Sequence, residues 1–162
     1  MHEGLITQRP FYSKLFFQDD HIETPFLFTA IGQSGRVYTP GGSLTFENVK
    51  LNIGNAFKGN YFFQPKLSGI YEFSFSCFNL ISPGAAGSDR TTIAILKNYI
   101  EYSRIQGSSW HDNINLDGSN SGTTIQMALN TGEFVNLKVS SGSVYANPSI
   151  PMVFTGKYLR PL

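Results

Sequence analysis

The chain has 162 residues, 41% of them hydrophobic and 14% charged, which is enough for one domain with a substantial core and too little for two of ordinary size. Twelve Lys and Arg against eleven Asp and Glu leave a formal charge of +1, so there is no basic field to gather nucleic acid or to dock on an anionic membrane. Fourteen Phe, eight Tyr, sixteen Gly and eight Pro beside so little charge exclude a protein of long solvated helices and predict an all-β chain of short strands and turns.

Residues 1–24 read as a lead-in, because apolar and charged residues alternate irregularly there and Asp19-Asp20-His21 interrupts any strand pattern. Phe11 to Phe17 is its most apolar stretch. It is short, broken by Lys14 and not preceded by a basic region, so it reads as neither a signal peptide nor a membrane span. Two roles stand for Phe11, Leu15, Phe16 and Phe17: a cover for a neighbouring subunit or for the outside of the domain, and a leader with no structural role.

The domain proper spans residues 25–162, opening at Pro25. Strand-length runs recur through it with turn residues between them: Phe26 to Ile31, Leu44 to Ile53, Tyr61 to Gln64, Ile70 to Leu80, Thr91 to Leu96, Ile100 to Ile105, Thr123 to Leu129, Phe134 to Val139 and Met152 to Leu159. Alternation assigns faces within them. Tyr71, Phe73, Phe75 and Cys77 share one face and Glu72, Ser74 and Ser76 the other, so Cys77 reads as a small buried hydrophobe. Thr123, Ile125, Met127 and Leu129 form a second core face, and Val135, Leu137 and Val139 a third, opposed by Asn136 and Lys138. Strands of this number, with no helical crossover between them, predict a two-sheet antiparallel jelly-roll sandwich of about ten strands.

Three connections are turn-rich: Gly32 to Gly42, Ser82 to Asp89, and Gly107 to Gly122, which surrounds the lone Trp110 with Ser, Asn, Asp and Gly. Trp110, His111, Asp112, Asn113, Asn115 and Asp117 form the best binding candidate, because an aromatic face stacks on the apolar face of a sugar while Asn and Asp hydrogen-bond its hydroxyls. The competing reading folds Trp110 back onto the sandwich and leaves the polar residues in Asx turns. Tyr145 and Asn147 lie in a further loop, for which two readings stand: a purely structural tyrosine, and a lining for a binding pocket.

Phe46, Asn52, Phe57, Phe63, Gly69, Tyr71, Phe73 and Phe75 stand at spacings that resemble the signature of the C1q globular domain, with the Phe57 to Phe63 step one residue shorter than usual. The resemblance continues through Ile95-Leu96-Lys97-Asn98, Ser119-Asn120-Ser121-Gly122, Thr131-Gly132-Glu133-Phe134-Val135 and Phe154-Thr155-Gly156-Lys157-Tyr158-Leu159. It implies a jelly roll shared with the tumour necrosis factor superfamily and assembled as a homotrimer, and it makes the matched aromatics fold residues. Asn136 departs from it, standing where the family often has an aromatic, and no Gly-X-Y repeat precedes the domain.

His2, His21 and His111 are isolated and there is no Gly-x-Ser-x-Gly elbow, so no catalytic constellation is expected. No cofactor is required. Calcium is the one metal the residues suggest, with Asp112 and Asp117 as ligands beside Asn113 and Asn115, although their spacing is not that of an EF-hand. The resulting expectation is a secreted, trimeric, lectin-like recognition protein of innate immunity, without nucleic acid or membrane insertion among its partners. Its alternatives are a receptor-binding signalling ligand resembling cerebellin or adiponectin, and a structural matrix component.

Overall fold

The computed structural model describes residues 25–80, 90–108 and 119–162. These form twelve strands and no α-helix: β1 (Leu27–Ile31), β2 (Val37–Tyr38), β3 (Asn48–Ile53), β4 (Phe57–Lys58), β5 (Phe62–Phe63), β6 (Gly69–Leu80), β7 (Arg90–Lys97), β8 (Ile100–Ser108), β9 (Ser119–Leu129), β10 (Val135–Ser141), β11 (Ser143–Tyr145) and β12 (Val153–Arg160). Two antiparallel sheets result. The larger runs β2-β11-β6-β12-β1-β3, with β9 also paired along β6, and the smaller runs β4-β5-β10-β7-β8. This is the predicted all-β sandwich.

The core lies between the sheets and is aromatic. Phe28 of β1 stacks on Phe57 at 4.8 Å and on Phe63 at 5.2 Å, and meets Phe154 of β12 edge-on at 4.9 Å. Tyr71, Phe73, Phe75 and Cys77 are all buried on the inner face of β6, as alternation requires. Burial pushes the Cys77 thiol up to about 12, so it is no nucleophile at neutral pH.

The signature residues have identifiable tasks. Asn52 clamps the turn between β3 and β4, its Nδ2 donating to the Phe57 carbonyl at 2.9 Å and its Oδ1 accepting from the Phe57 amide at 3.1 Å. The Tyr71 hydroxyl donates to the Leu67 carbonyl at 2.6 Å, satisfying the only polar atom of a side chain that is otherwise core. At Gly69 a Cβ would stand 2.4 Å from the Tyr158 ring and 2.8 Å from the Arg160 carbonyl, which is why the position has no side chain.

The structure departs from the sequence reading at three kinds of place. The Leu44 to Ile53 run is a strand only over Asn48–Ile53, because its first half belongs to the other sheet: the Leu44 amide donates to the Leu137 carbonyl while β3 pairs with β1. Strands β2, β4 and β11 were not expected, since two or three residues cannot display a period. Asn136, on the face of β10 opposite Val135 and Leu137, is nonetheless only 2% exposed. It lies across from Phe62 on one side and Leu96 on the other, so the outer face of the small sheet is locally covered.

Candidate functional site

Of the residues singled out for binding, Trp110, His111, Asp112, Asn113, Asn115 and Asp117 lie outside the described residues, and with them the calcium ligand pair. Tyr145 is not in a loop. It closes β11, between Val37 of β2 and Phe78 of β6, and is half-buried by that pairing. Asn147 does face a groove, of about 470 Å³, whose walls include Gln33, Glu47, Asn48 and Pro148.

That groove is fixed by local hydrogen bonding. Asn147 Oδ1 accepts from the Ser149 amide at 2.8 Å and the Ile150 amide at 3.3 Å, an Asx turn that commits its acceptor. The two walls are zipped by Gly35 N–H to the Ala146 carbonyl at 2.7 Å and Ala146 N–H to the Arg36 carbonyl at 2.9 Å. Glu47 accepts from Arg36 at 3.1 Å, from the Thr45 hydroxyl at 2.7 Å and from the Gln33 amide at 3.1 Å. The Arg36 guanidinium also lies 5.0 Å from the centre of the Tyr38 ring. Burial raises the Tyr38 hydroxyl above its ordinary value, and that hydroxyl donates to the Thr45 carbonyl at 2.8 Å. Every charged group here has a partner, so the groove is a shaped, neutral surface with no poised acid, base or nucleophile. Among the described residues no three His, Cys, Asp or Glu side chains come together as metal ligands.

A second place was not singled out by sequence. Lys97 pairs with Ile100, so β7 and β8 are joined through Asn98 and Tyr99 alone, at φ of 52° and 67°. Both values are positive, as in a type I′ turn, for which Asn-Gly is the favoured pair. Tyrosine in that conformation costs about 1–2 kcal/mol relative to glycine, yet Tyr99 occupies it with 72% of its surface exposed. The Asn-Tyr pair between two apolar runs was the available signal.

The turn is docked on Glu133 and Phe134, the two residues that precede β10. The Asn98 amide donates to the Phe134 carbonyl at 3.0 Å, the Phe134 amide donates to Asn98 Oδ1 at 3.0 Å, and Asn98 Nδ2 donates to Glu133 at 3.1 Å. Glu133 is itself held below the usual carboxylate range, first by the Asn130 amide and then by Lys97, whose ammonium is 2.8 Å away. Tyr99 is thereby set edge to face on Phe134 at 4.7 Å, and Phe134 meets Phe62 at 6.0 Å, which meets Tyr61 at 4.9 Å. These four rings, with Gln64, line a cleft of about 200 Å³.

No family model matches the chain, and no curated protein matches it in sequence. Solved structures do match it in shape. The globular domain of zebrafish complement 1qA protein superposes with a TM-score of 0.58 at 14% identity, over 85% of this chain and 99% of that one. Eiger TNF from S. frugiperda gives 0.67 at 12% identity, over 85% and 95%. Murine APRIL at pH 5.0 gives 0.59 at 10% identity, over 82% and 98%. The chain therefore has the C1q/TNF-like jelly-roll fold, and at these identities the likeness is one of fold.

Proposed function

We propose that the chain is a secreted homotrimeric recognition protein that binds glycans of microbial surfaces, without a catalytic step. The observation that carries this reading is the match of its fold along almost the whole globular domain of complement 1qA. The described surface supports the trimer. Leu51 and Ile53 of β3 are exposed opposite Thr29 and Leu27 of β1, and the outer face continues over β12 and β6 with Val153, Thr155, Ser74 and Ser76 around a shallow hollow of about 430 Å³. On β8, the edge of the small sheet among the described residues, Ile100 is 74% and Tyr102 52% exposed. A face whose charged pair, Lys157 with Glu72 at 2.9 Å, is mutually neutralised, and a separate apolar edge suit a head-to-tail contact, which closes a ring when the rotation is threefold.

A trimer presents three shallow sites on one rigid body, so ligands too weak to be held singly are held together on a repetitive surface. Trp110 and the Asp and Asn residues from His111 to Asp117 form the proposed contact loop, with Asp112 and Asp117 as the ligands if calcium takes part. Trp110→Ala is expected to weaken glycan binding by about 1–3 kcal/mol per site, by analogy with other stacking aromatics, and to leave the melting temperature and the molecular mass unchanged. A loss of several kcal/mol of stability in that variant makes Trp110 a packing residue instead.

The test of the function is a glycan array probed with calcium and with a chelator. Binding that free sugars displace supports the reading. The second reading, a receptor-binding ligand, is favoured by the match to Eiger TNF. It predicts one tight protein partner that sugars do not displace and an array without signal.

A further inference from the structure

The Asn98-Tyr99 turn keeps a strained, exposed aromatic where glycine would be easier, and three hydrogen bonds, two donated by Asn98 and one accepted by its Oδ1, dock it on Glu133 and Phe134. Local strain at a rigidly supported, solvent-facing side chain points to use of that side chain. We propose that the cleft walled by Tyr61, Phe62, Tyr99 and Phe134, with Gln64 on its rim, binds one neutral pyranose ring of a glycan, stacked on Tyr99.

The ligand class follows from the walls. At about 200 Å³ the cleft is smaller than the roughly 300–1,000 Å³ of pockets that enclose drug-sized molecules, so it takes a single ring. Neighbouring rings meet at interplanar angles of 60°, 73° and 71°, the first pair tilted and the other two edge to face. Aromatic rings lining the cleft offer apolar faces on which the flat apolar side of a sugar can stack. The adjacent carboxylate of Glu133 is taken up by Lys97, Asn98 and the Asn130 amide, leaving no anion to draw a cation.

Polar groups are in place for hydroxyls. Gln64 donates its Nε2 to the Gly132 carbonyl at 2.8 Å, which orients the amide and leaves its Oε1 as an acceptor, and the Tyr61 hydroxyl adds a group that both donates and accepts. Aromatic faces, a rim of both donors and acceptors and no net charge are the recognition chemistry of a neutral sugar.

This site rests on the glycan-recognition reading above and adds a second contact to it, separate from the proposed Trp110 loop. The test titrates the methyl glycosides of glucose, galactose, mannose and N-acetylglucosamine into the whole chain, followed by amide NMR shifts, and runs the glycan array with Tyr99→Gly and Tyr99→Phe. The proposal expects one glycoside to shift Tyr61 to Gln64, Asn98, Tyr99 and Phe134. It also expects Tyr99→Gly to lose roughly fivefold or more in affinity while melting at the same or a higher temperature, since glycine relieves the turn, and Tyr99→Phe to bind like the parent. Shifts confined to other residues, or array signals that Tyr99→Gly leaves intact, overturn the cleft and leave glycan recognition standing. No binding to any glycoside or any glycan on the array overturns both.

Discussion

Phe73→Ala is expected to lower the free energy of unfolding by about 3–5 kcal/mol, the range for removing a buried aromatic and leaving a cavity. The ring is 2% exposed and lies 5.2 Å from Phe63, 6.0 Å from Phe154 and 6.5 Å from Phe28, rings that come from both sheets. None of these neighbours can move into the gap without giving up its own contacts, because each is held by a different strand. Urea denaturation followed by circular dichroism reads the loss. A variant that unfolds at the parental midpoint contradicts the placement of Phe73 between the sheets.

The second large effect runs in the opposite direction of volume. Gly156 of β12 lies directly across from Phe73 of β6, and a Cβ there would stand 2.3 Å from the Phe28 ring and 2.7 Å from the Phe73 ring. Gly156→Val is therefore expected to cost about 3 kcal/mol through overpacking. The two sites share one space, so the double variant Gly156→Val with Phe73→Ala should be less destabilised than the sum of the singles. Chemical denaturation of the four chains in that cycle supplies the numbers, and strict additivity refutes the shared space.

Both effects concern positions that alternation and spacing made legible. Tyr71, Phe73, Phe75 and Cys77 declared their face because β6 is long enough for a period of two to repeat, and Gly156 stood in a recognisable closing segment. What failed did so where sequence has no period to show. β2 and β4 are each two residues long, and Tyr145 joined the large sheet as the last residue of a three-residue strand whose partners, Val37 and Phe78, are distant in the chain.

The aromatic cleft was hidden for a related reason. Tyr61, Phe62, Tyr99 and Phe134 come from three separate stretches, and each alone reads as an ordinary strand-end aromatic. The β5–β10 pairing brings Phe62 to Phe134, and the docking of Asn98 on Phe134 adds Tyr99, through a side-chain bond to backbone across 36 residues that no local pattern encodes. Trp110, by contrast, stood out because it is the only tryptophan in a polar loop, which marks a residue as conspicuous without fixing its surroundings.

Recognition by a trimer makes a quantitative claim about how one ligand is held in two settings. The direct measurement is the apparent dissociation constant for a glycan-coated surface, by interferometry, beside that for the same glycan free in solution, by calorimetry. Three sites on a rigid body predict surface binding tighter by about 100-fold or more, on particles with three times the 18.0 kDa chain mass by light scattering. Equal affinities in the two settings, on particles of 18.0 kDa, would contradict it.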